Sequence, residues 1–373
     1  MVRAPAGTSP FVTDEPQHFG SGWLSGTIGA VLGIAASGTA VCLALPQHLT
    51  LPALRASYPV PFVVSALHAA IPLAFVLGLL SLWLRRKKTL GAIAIGTAAL
   101  AATVFAVAPP LDAAGSTTVG LGVDVFVFTL VVYAAVFLPL ERLWPLRAEQ
   151  PTFRPEWWTD LAWFASSALL MQATSFVILA PANALATTTP AGLRAAIASL
   201  PLVVQFPAIV LVSDLVQYHV HRACHRVPLL WRFHAIHHSA TSMDWLAGSR
   251  LHVVDAVLTR SLVYLPLAML GFAPAAIAAY LVFVAAQATF VHTNLRWRLA
   301  WLEPWLVVPR FHHWHHADSV RDVNFAVHVP WLDRVFGTFH LPAKDWPDAY
   351  GLADGATGPR GFLRQLLAPF GRR

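Results

Sequence analysis

Apolar residues run along this chain in stretches long enough to cross a bilayer, separated by short polar or turn-forming segments. About 20 apolar residues in a helix span the hydrocarbon core, and residues 23–45, 60–84, 90–107 and 119–140 supply four such runs. Pro109, Pro110 and Gly115 place a turn between the last two. Residues 158–179 and 195–218 form a third pair, divided by an Ala/Thr/Pro loop. Residues 253–291 are too many for one span, and Gly271-Phe272-Ala273-Pro274 breaks them near the middle. That break predicts two helices bent back on each other. The fold class this pattern gives is all-α: a polytopic transmembrane helical bundle.

Composition narrows the picture. The chain has 373 residues, of which 57% are hydrophobic and only 12% charged, against about 25% charged in a soluble domain. A water-exposed globule is excluded, and so is disorder, which needs low hydrophobicity and high charge. Cys42 and Cys224 are the only cysteines, too few for a disulfide scaffold. The formal charge of +7 sits beside long apolar runs and so marks loops facing anionic lipid. No basic, aromatic-interleaved module speaks for nucleic acid.

The positive charge is also one-sided. Arg85, Arg86, Lys87 and Lys88 close the second run, and cytoplasmic loops collect Lys and Arg. That end and the amino terminus are therefore predicted to be cytoplasmic. Alternation puts Arg142, Arg147, Arg154, residues 218–253 and everything after 291 on the same side, leaving Arg55 and Arg194 opposite. The first 22 residues are mixed and hold Pro and Gly, which predicts a cytoplasmic segment and no signal peptide. Polar chemistry becomes dense from Glu141 onward, so residues 23–140 read as an accessory transmembrane region of about four helices.

That polar chemistry is mostly imidazole. Of 17 histidines, His18, His48, His68, His328 and His340 stand alone and read as ordinary surface or core residues. Three clusters do not. His221 and His225 are four apart; His234, His237 and His238 follow the pattern i, i+3, i+4; His312, His315 and His316 repeat it. On a helix these spacings share a face, while His219 and His313 depart from it. Burying several imidazoles together without partners costs kcal/mol for each, and a metal removes that cost by taking the ring nitrogens as ligands.

Eight clustered imidazoles exceed one tetrahedral ion, which implies two. Imidazole suits Zn, Cu, Fe or Ni. The H-E-x-x-H of zinc hydrolases, a Gly-rich phosphate loop and G-x-S-x-G are all missing. Paired redox metals at a membrane surface point to oxygen chemistry on a lipid. Two other readings compete: a non-catalytic membrane metal carrier or sensor, and a two-zinc membrane hydrolase. Transport favours ligands inside broken spans near the bilayer midplane, whereas these clusters follow the predicted spans, and a hydrolase lacks its carboxylate base.

The ordered motifs also carry a resemblance. Tyr218 with His221-Arg222-Ala223-Cys224-His225, then Pro228 and Leu230-Trp231-Arg232-Phe233-His234-Ala235-Ile236-His237-His238-Ser239, resembles the fatty acid hydroxylase/sterol desaturase superfamily of membrane di-iron enzymes. Arg250-Leu251-His252, His292-Thr293-Asn294 and Pro309-Arg310-Phe311-His312-His313-Trp314-His315-His316 resemble its following blocks in order. Asn324-Phe325 and the run from Trp331 to Phe339 resemble its closing signature, and Glu141-Arg142-Leu143-Trp144-Pro145 its entry. The likeness covers about residues 135–345 and frames a domain at 141–345, leaving 346–373 as a basic C-terminal tail.

The resemblance implies a cytoplasmic histidine-rich cap holding two iron ions, with O2 as co-substrate, and hydroxylation or desaturation of a C–H bond in a sterol, fatty acyl or related lipid. Carried over by motif, the ligands are His221, His225, His234, His237, His238, His312, His315 and His316, joined by His292 and His252. Some members have a further histidine where this chain has Arg296, which leaves a position for water near Asn294. No catalytic side chain beyond the metal centre is implied. Asp214, Asp255, Asp318 and Asp322 are candidates to orient the ligand imidazoles, each of which needs an acceptor for its second nitrogen. Trp231, Trp245 and Trp314 read as interfacial anchors, and Cys224 as a bystander. The hairpin at 253–291 is the expected wall of a lipid slot. No fused cytochrome b5-like segment is seen, so electrons are expected from an external donor, a ferredoxin or a cytochrome b5-type protein with its reductase. The sequence sets no oligomeric state.

Overall fold

A computed structural model describes residues 20–51, 59–107, 122–343, 346–352, 356 and 358–371, without the side chains of 169–177. The turn expected at Pro109, Pro110 and Gly115, Arg55 and most of the amino-terminal segment lie outside the described residues. The chain forms two compact units: residues Met1–Val136 with Pro151–Pro155 and Ala168–Gln172, and residues Phe137–Gln150, Glu156–Ser167 and Ala173–Arg373.

The first unit is built on helices α1 (Trp23–Ala44), α2 (Val60–Leu84) and α3 (Thr89–Val107), followed by the start of α4 (Val123–Leu143). Lipid tails are as apolar as leucine side chains, so such helices associate through close packing and a few interhelical hydrogen bonds. Small residues supply the closeness. A Cβ at Gly29 of α1 would lie 3.1 Å from the Ala94 Cβ, and one at Gly91 of α3 would lie 2.7 Å from the Gly78 carbonyl oxygen. The Ser37 hydroxyl donates to the Thr97 carbonyl at 2.7 Å, tying α1 to α3.

The second unit carries α5 (Trp157–Ala186), α6 (Ala191–Ala198), α7 (Leu202–Arg226), α8 (Pro228–His238), α9 (Val253–Leu270) and α10 (Pro274–Phe290). Shorter helices α11 (Pro309–His315), α12 (Trp331–Phe336) and α13 (Phe362–Leu367) follow. Among the described residues six helices, α1 to α4, α7 and α9, are long and apolar enough to cross a membrane. The protein is a helical, multi-pass membrane protein.

Prolines set the breaks that matter. Pro228 and Pro309 open α8 and α11 at their first turn, where the missing N–H costs nothing. Gly271, left-handed at φ 72°, ends α9, and Pro274 starts α10, so the chain breaks where expected, and both helices pack on α7. One expectation is corrected: the run 195–218 is not one span. Pro201 ends it, α7 starts at Leu202, and the helix continues past Tyr218 to Arg226. The first histidine cluster is therefore the last turn of a spanning helix rather than a segment after it.

Two of this unit's hydrophobic cores involve α7. Ile209 and Val210 of α7 pack with Leu267, Ala276 and Tyr280 of α9 and α10. Tyr218, Val308, Phe311, Phe325 and Leu332 form the core of the cap, where burying each large apolar side chain contributes about 1.5–3 kcal/mol. Hydrogen bonds hold the described residues near the carboxy terminus against α5. The Gln365 amide oxygen accepts from the Trp163 indole N–H at 2.7 Å, and the Glu156 carboxylate accepts from the Gly361 N–H.

Candidate metal centre

Nine imidazoles converge in two groups. His221, His225, His234, His238 and His315 form one, His237, His292, His312 and His316 the other, and within each group the facing nitrogens lie within 4.8 Å of one another. Neighbours on a helix point about 100° apart, so His237-His238 and His315-His316 each send one ring to either group. The two H-x-x-H-H motifs are thus used crosswise. α8 gives two rings to the five-histidine group and one to the other; the third cluster does the reverse. His238 and His316 stack at 4.4 Å where the groups meet.

The donor chemistry fits metal ions. A carbonyl or carboxylate oxygen facing an imidazole nitrogen can only accept, so that nitrogen carries the proton and the other is a bare lone pair. The Nδ1–H of His221 donates to the Phe325 carbonyl at 2.8 Å, that of His315 to the Val323 carbonyl at 2.8 Å, and that of His234 to the Asp255 carboxylate at 2.8 Å. The Nδ1–H of His237 donates to the Arg250 carbonyl and that of His292 to the Ala288 carbonyl. In the five-histidine group every Nε2 is buried without a hydrogen-bond partner. In the other, the Nε2 atoms of His292 and His316 both lie 3.1 Å from the Nε2 of His312, and one proton on His312 cannot serve both. A cation at each group removes these deficits.

Burial, followed by the neighbouring imidazoles, holds His237, His238, His312 and His316 well below the ordinary histidine range. His315 is lowered in the same way. Burial also takes His292 down to about 4. The rings are neutral at physiological pH, as metal ligands must be.

The sequence candidates divide. His252 is corrected: it caps α9, its Nδ1 accepting from the Val254 N–H and its Nε2–H donating to the Leu366 carbonyl, and it belongs to neither group. Asn294 is also corrected. Its side chain clamps Arg147 through the backbone N–H at 2.9 Å and the carbonyl at 3.1 Å, rather than framing a water position. Asp214 meets no ligand ring. Its carboxylate accepts from the N–H groups of Val327, His328 and Val329, so it fixes the loop whose Val323 and Phe325 carbonyls orient His315 and His221. Asp255 touches His234 directly, with Thr259 donating to its other oxygen. Asp322 pairs with Arg226 at 3.1 Å, and no hydrogen bond joins the Asp318 carboxylate to a clustered histidine among the described residues. Trp245 is buried against Phe164 and is no interfacial anchor. Trp231 packs on His225 and His238.

Several residues escaped sequence reasoning. Glu141 accepts from the Trp245 and Asn294 N–H groups, which joins the entry motif to the segment after His292. The buried pair Asp160–Arg250 holds the carbonyl that His237 uses. Asn324, left-handed at φ 57°, and Asp333 bind the closing signature to itself and to α11. Their signal was the closing motif, whose spacing shows no partner.

A cavity of about 1080 Å³ opens beside the five-histidine group, lined by His225, His238 and His315, by the end of α7 and the start of α8, and by Arg321, Asp322, Leu352 and Phe370 among others. No residue of 253–291 lines this cavity.

Comparison with known proteins agrees with this chemistry. Residues 206–338 match the model of the fatty acid hydroxylase family. The chain is 30% identical over 179 residues to an ornithine lipid hydroxylase, OlsE, of Rhizobium tropici, covering 46% of this chain and 52% of that protein. It is 32% identical over 142 residues to the alkylglycerol monooxygenase of Homo sapiens, covering 37% of this chain and 31% of that one. The chain thus spans about half or less of the length of these relatives. No solved structure matches. The segment that brings α7, α8, the α9–α10 pair and the third histidine cluster together is the part of the chain that matches the fatty acid hydroxylase family.

Proposed function

We propose that this protein is a membrane-bound oxygenase that uses O2 and externally supplied electrons to hydroxylate or desaturate a C–H bond of a lipid. One observation carries the reading: nine buried or half-buried histidines in two adjoining groups, five of them locked by an acceptor on Nδ1 so that Nε2 faces the group. We assign one iron to each group. Iron bound there supplies the redox chemistry by which dioxygen attacks an unactivated C–H bond, which no side chain can do.

The protein's part is to hold, orient and exclude. Carbonyls of Val323, Phe325, Arg250 and Ala288 and the Asp255 carboxylate fix the ring tautomers, and such partners tune ligand basicity. The four-histidine group lines no part of the cavity, whereas three rings of the other group do. Substrate therefore meets the five-histidine side. A two-zinc hydrolase is disfavoured because neither group contains a carboxylate base.

The relatives bear names that refer to an ornithine lipid and to alkylglycerol, which supports a lipid substrate here. The one-sided Lys and Arg support a cap on the cytoplasmic face, where a ferredoxin or a cytochrome b5-type protein with its reductase delivers electrons. The domain at 141–345 does the chemistry and residues 23–140 anchor it.

Metal analysis with oxygen uptake tests this. About two irons per chain and reductant-dependent O2 consumption are expected, and His237→Ala abolishes uptake while the helical content stays. Stoichiometric zinc without O2 uptake refutes the reading. Lipid extracts of cells with and without the protein then identify the product by mass spectrometry.

A further inference from the structure

The cavity beside the five-histidine group has a second chemical character. Arg226, Arg232 and Arg321 line it, with Asp322 as the one carboxylate among the described lining residues. A guanidinium carries five N–H donors in a fixed fork suited to carboxylate and phosphate. Arg226 pairs with Asp322 and Arg232 donates to the Gly371 carbonyl, so each is held in place with donors to spare. The remaining lining is apolar, from Leu229, Trp231, Leu352 and Phe370. Leu229 and Phe370 are 61% and 63% exposed, which gives the cavity an apolar exposed rim.

We propose that this cavity binds the anionic head group of a lipid, a phosphate or carboxylate held by Arg226, Arg232 and Arg321, and so selects the substrate. The inference rests on the oxygenase reading and names the substrate class for it. Three guanidinium groups in one lining suit an anion, and the apolar lining and rim suit a chain attached to it. At about 1080 Å³ the cavity is at the upper end of the roughly 300–1,000 Å³ of small-molecule sites, room for a head group and the first part of a chain. His225, His238 and His315 border the same space, so the oxidised carbon lies in the head-group half of the lipid. Gly351, Leu352, Ala356, Phe370 and Gly371 complete the lining, which gives the carboxy-terminal part of the chain a role in substrate retention.

The test uses purified, iron-loaded protein in detergent and reads bound lipid by mass spectrometry after gel filtration, with O2 uptake measured on the same samples. The probes are dioleoylphosphatidic acid, uncharged dioleoylglycerol and inorganic phosphate. The wild type is expected to retain phosphatidic acid about tenfold more tightly than dioleoylglycerol, which corresponds to about 1.4 kcal/mol. Arg226→Gln combined with Arg321→Gln should erase that preference, and Arg321→Lys alone should keep most of it. Both positions lie at the cavity and outside the two cores, and unchanged iron content confirms that the variants fold. Equal retention of the two lipids, or an unchanged preference in the double variant, overturns the proposal. Displacement of phosphatidic acid by millimolar inorganic phosphate alone overturns the lipid assignment in favour of a free anion. Selective binding without O2 uptake sinks the oxygenase reading instead, so the two failures are distinguishable.

Discussion

At the scale of single residues, the centre depends on which nitrogen of each ring carries the proton. Among the described residues Asp255 is the one carboxylate hydrogen-bonded to a ring of either group, through His234. Asp255→Asn keeps the shape and removes the charge, so metal affinity should fall about 10–100-fold with little change in fold; competitive chelator titration measures it. Undiminished affinity would show that His234 needs no charged partner. Proton linkage gives a second expectation. Burial lowers His237, His238, His312, His315 and His316 in the folded protein, while an unfolded histidine titrates near 6.5. Below about pH 6.5 the unfolded chain binds more protons than the folded one, so stability falls as pH falls. Metal occupancy and melting temperature should both be full at pH 7.5 and drop together toward pH 5. A profile flat across that interval would contradict the neutral, buried state of these rings.

Elements convey these constraints over distance, and here sequence and structure part company most clearly. The spans, the Gly271–Pro274 break and the helical spacing of the histidines are local patterns, and local patterns can be read from a string. The crosswise sharing of His237-His238 and His315-His316 cannot, because it depends on how α8 and α11 face each other. His252 shows the same limit: its motif position suits a ligand, but its place at the start of α9 makes it a cap whose second nitrogen meets a carbonyl 114 residues further on. Asp214 lies seven residues before His221 on the same helix, yet it acts through a loop more than 100 residues later. Replacing Asp214 with Asn removes a charged acceptor from three backbone N–H groups. The expected cost is about 1.5–3 kcal/mol, read as a lower melting temperature together with weaker iron retention, although Asp214 belongs to neither histidine group. Full retention at an unchanged melting temperature would mean that the loop holds His221 and His315 unaided.

For the whole molecule, a bilayer orders what composition leaves ambiguous. A chain with 12% charged residues has few means to mark its sides, and Lys and Arg near the helix ends carry that information. The four-residue basic run at Arg85 to Lys88 and the histidine clusters are then expected on one face, helix α6 with Arg194 on the other. Both native cysteines are buried, so a membrane-impermeant maleimide should label the parent protein poorly. Three sites suit single-cysteine reporters. Arg86 and Ser319 are exposed, and a Cβ at Gly192 meets nothing within 4 Å. Gly192→Cys should be labelled in intact cells, and Arg86→Cys and Ser319→Cys only after permeabilisation. Labelling of Ser319→Cys from outside would place the histidine groups on the external face and remove cytoplasmic ferredoxin and cytochrome b5 as electron donors. Labelling of Arg86→Cys and Ser319→Cys from opposite faces would break the assumed alternation between them and require an odd number of crossings from residue 86 to residue 319.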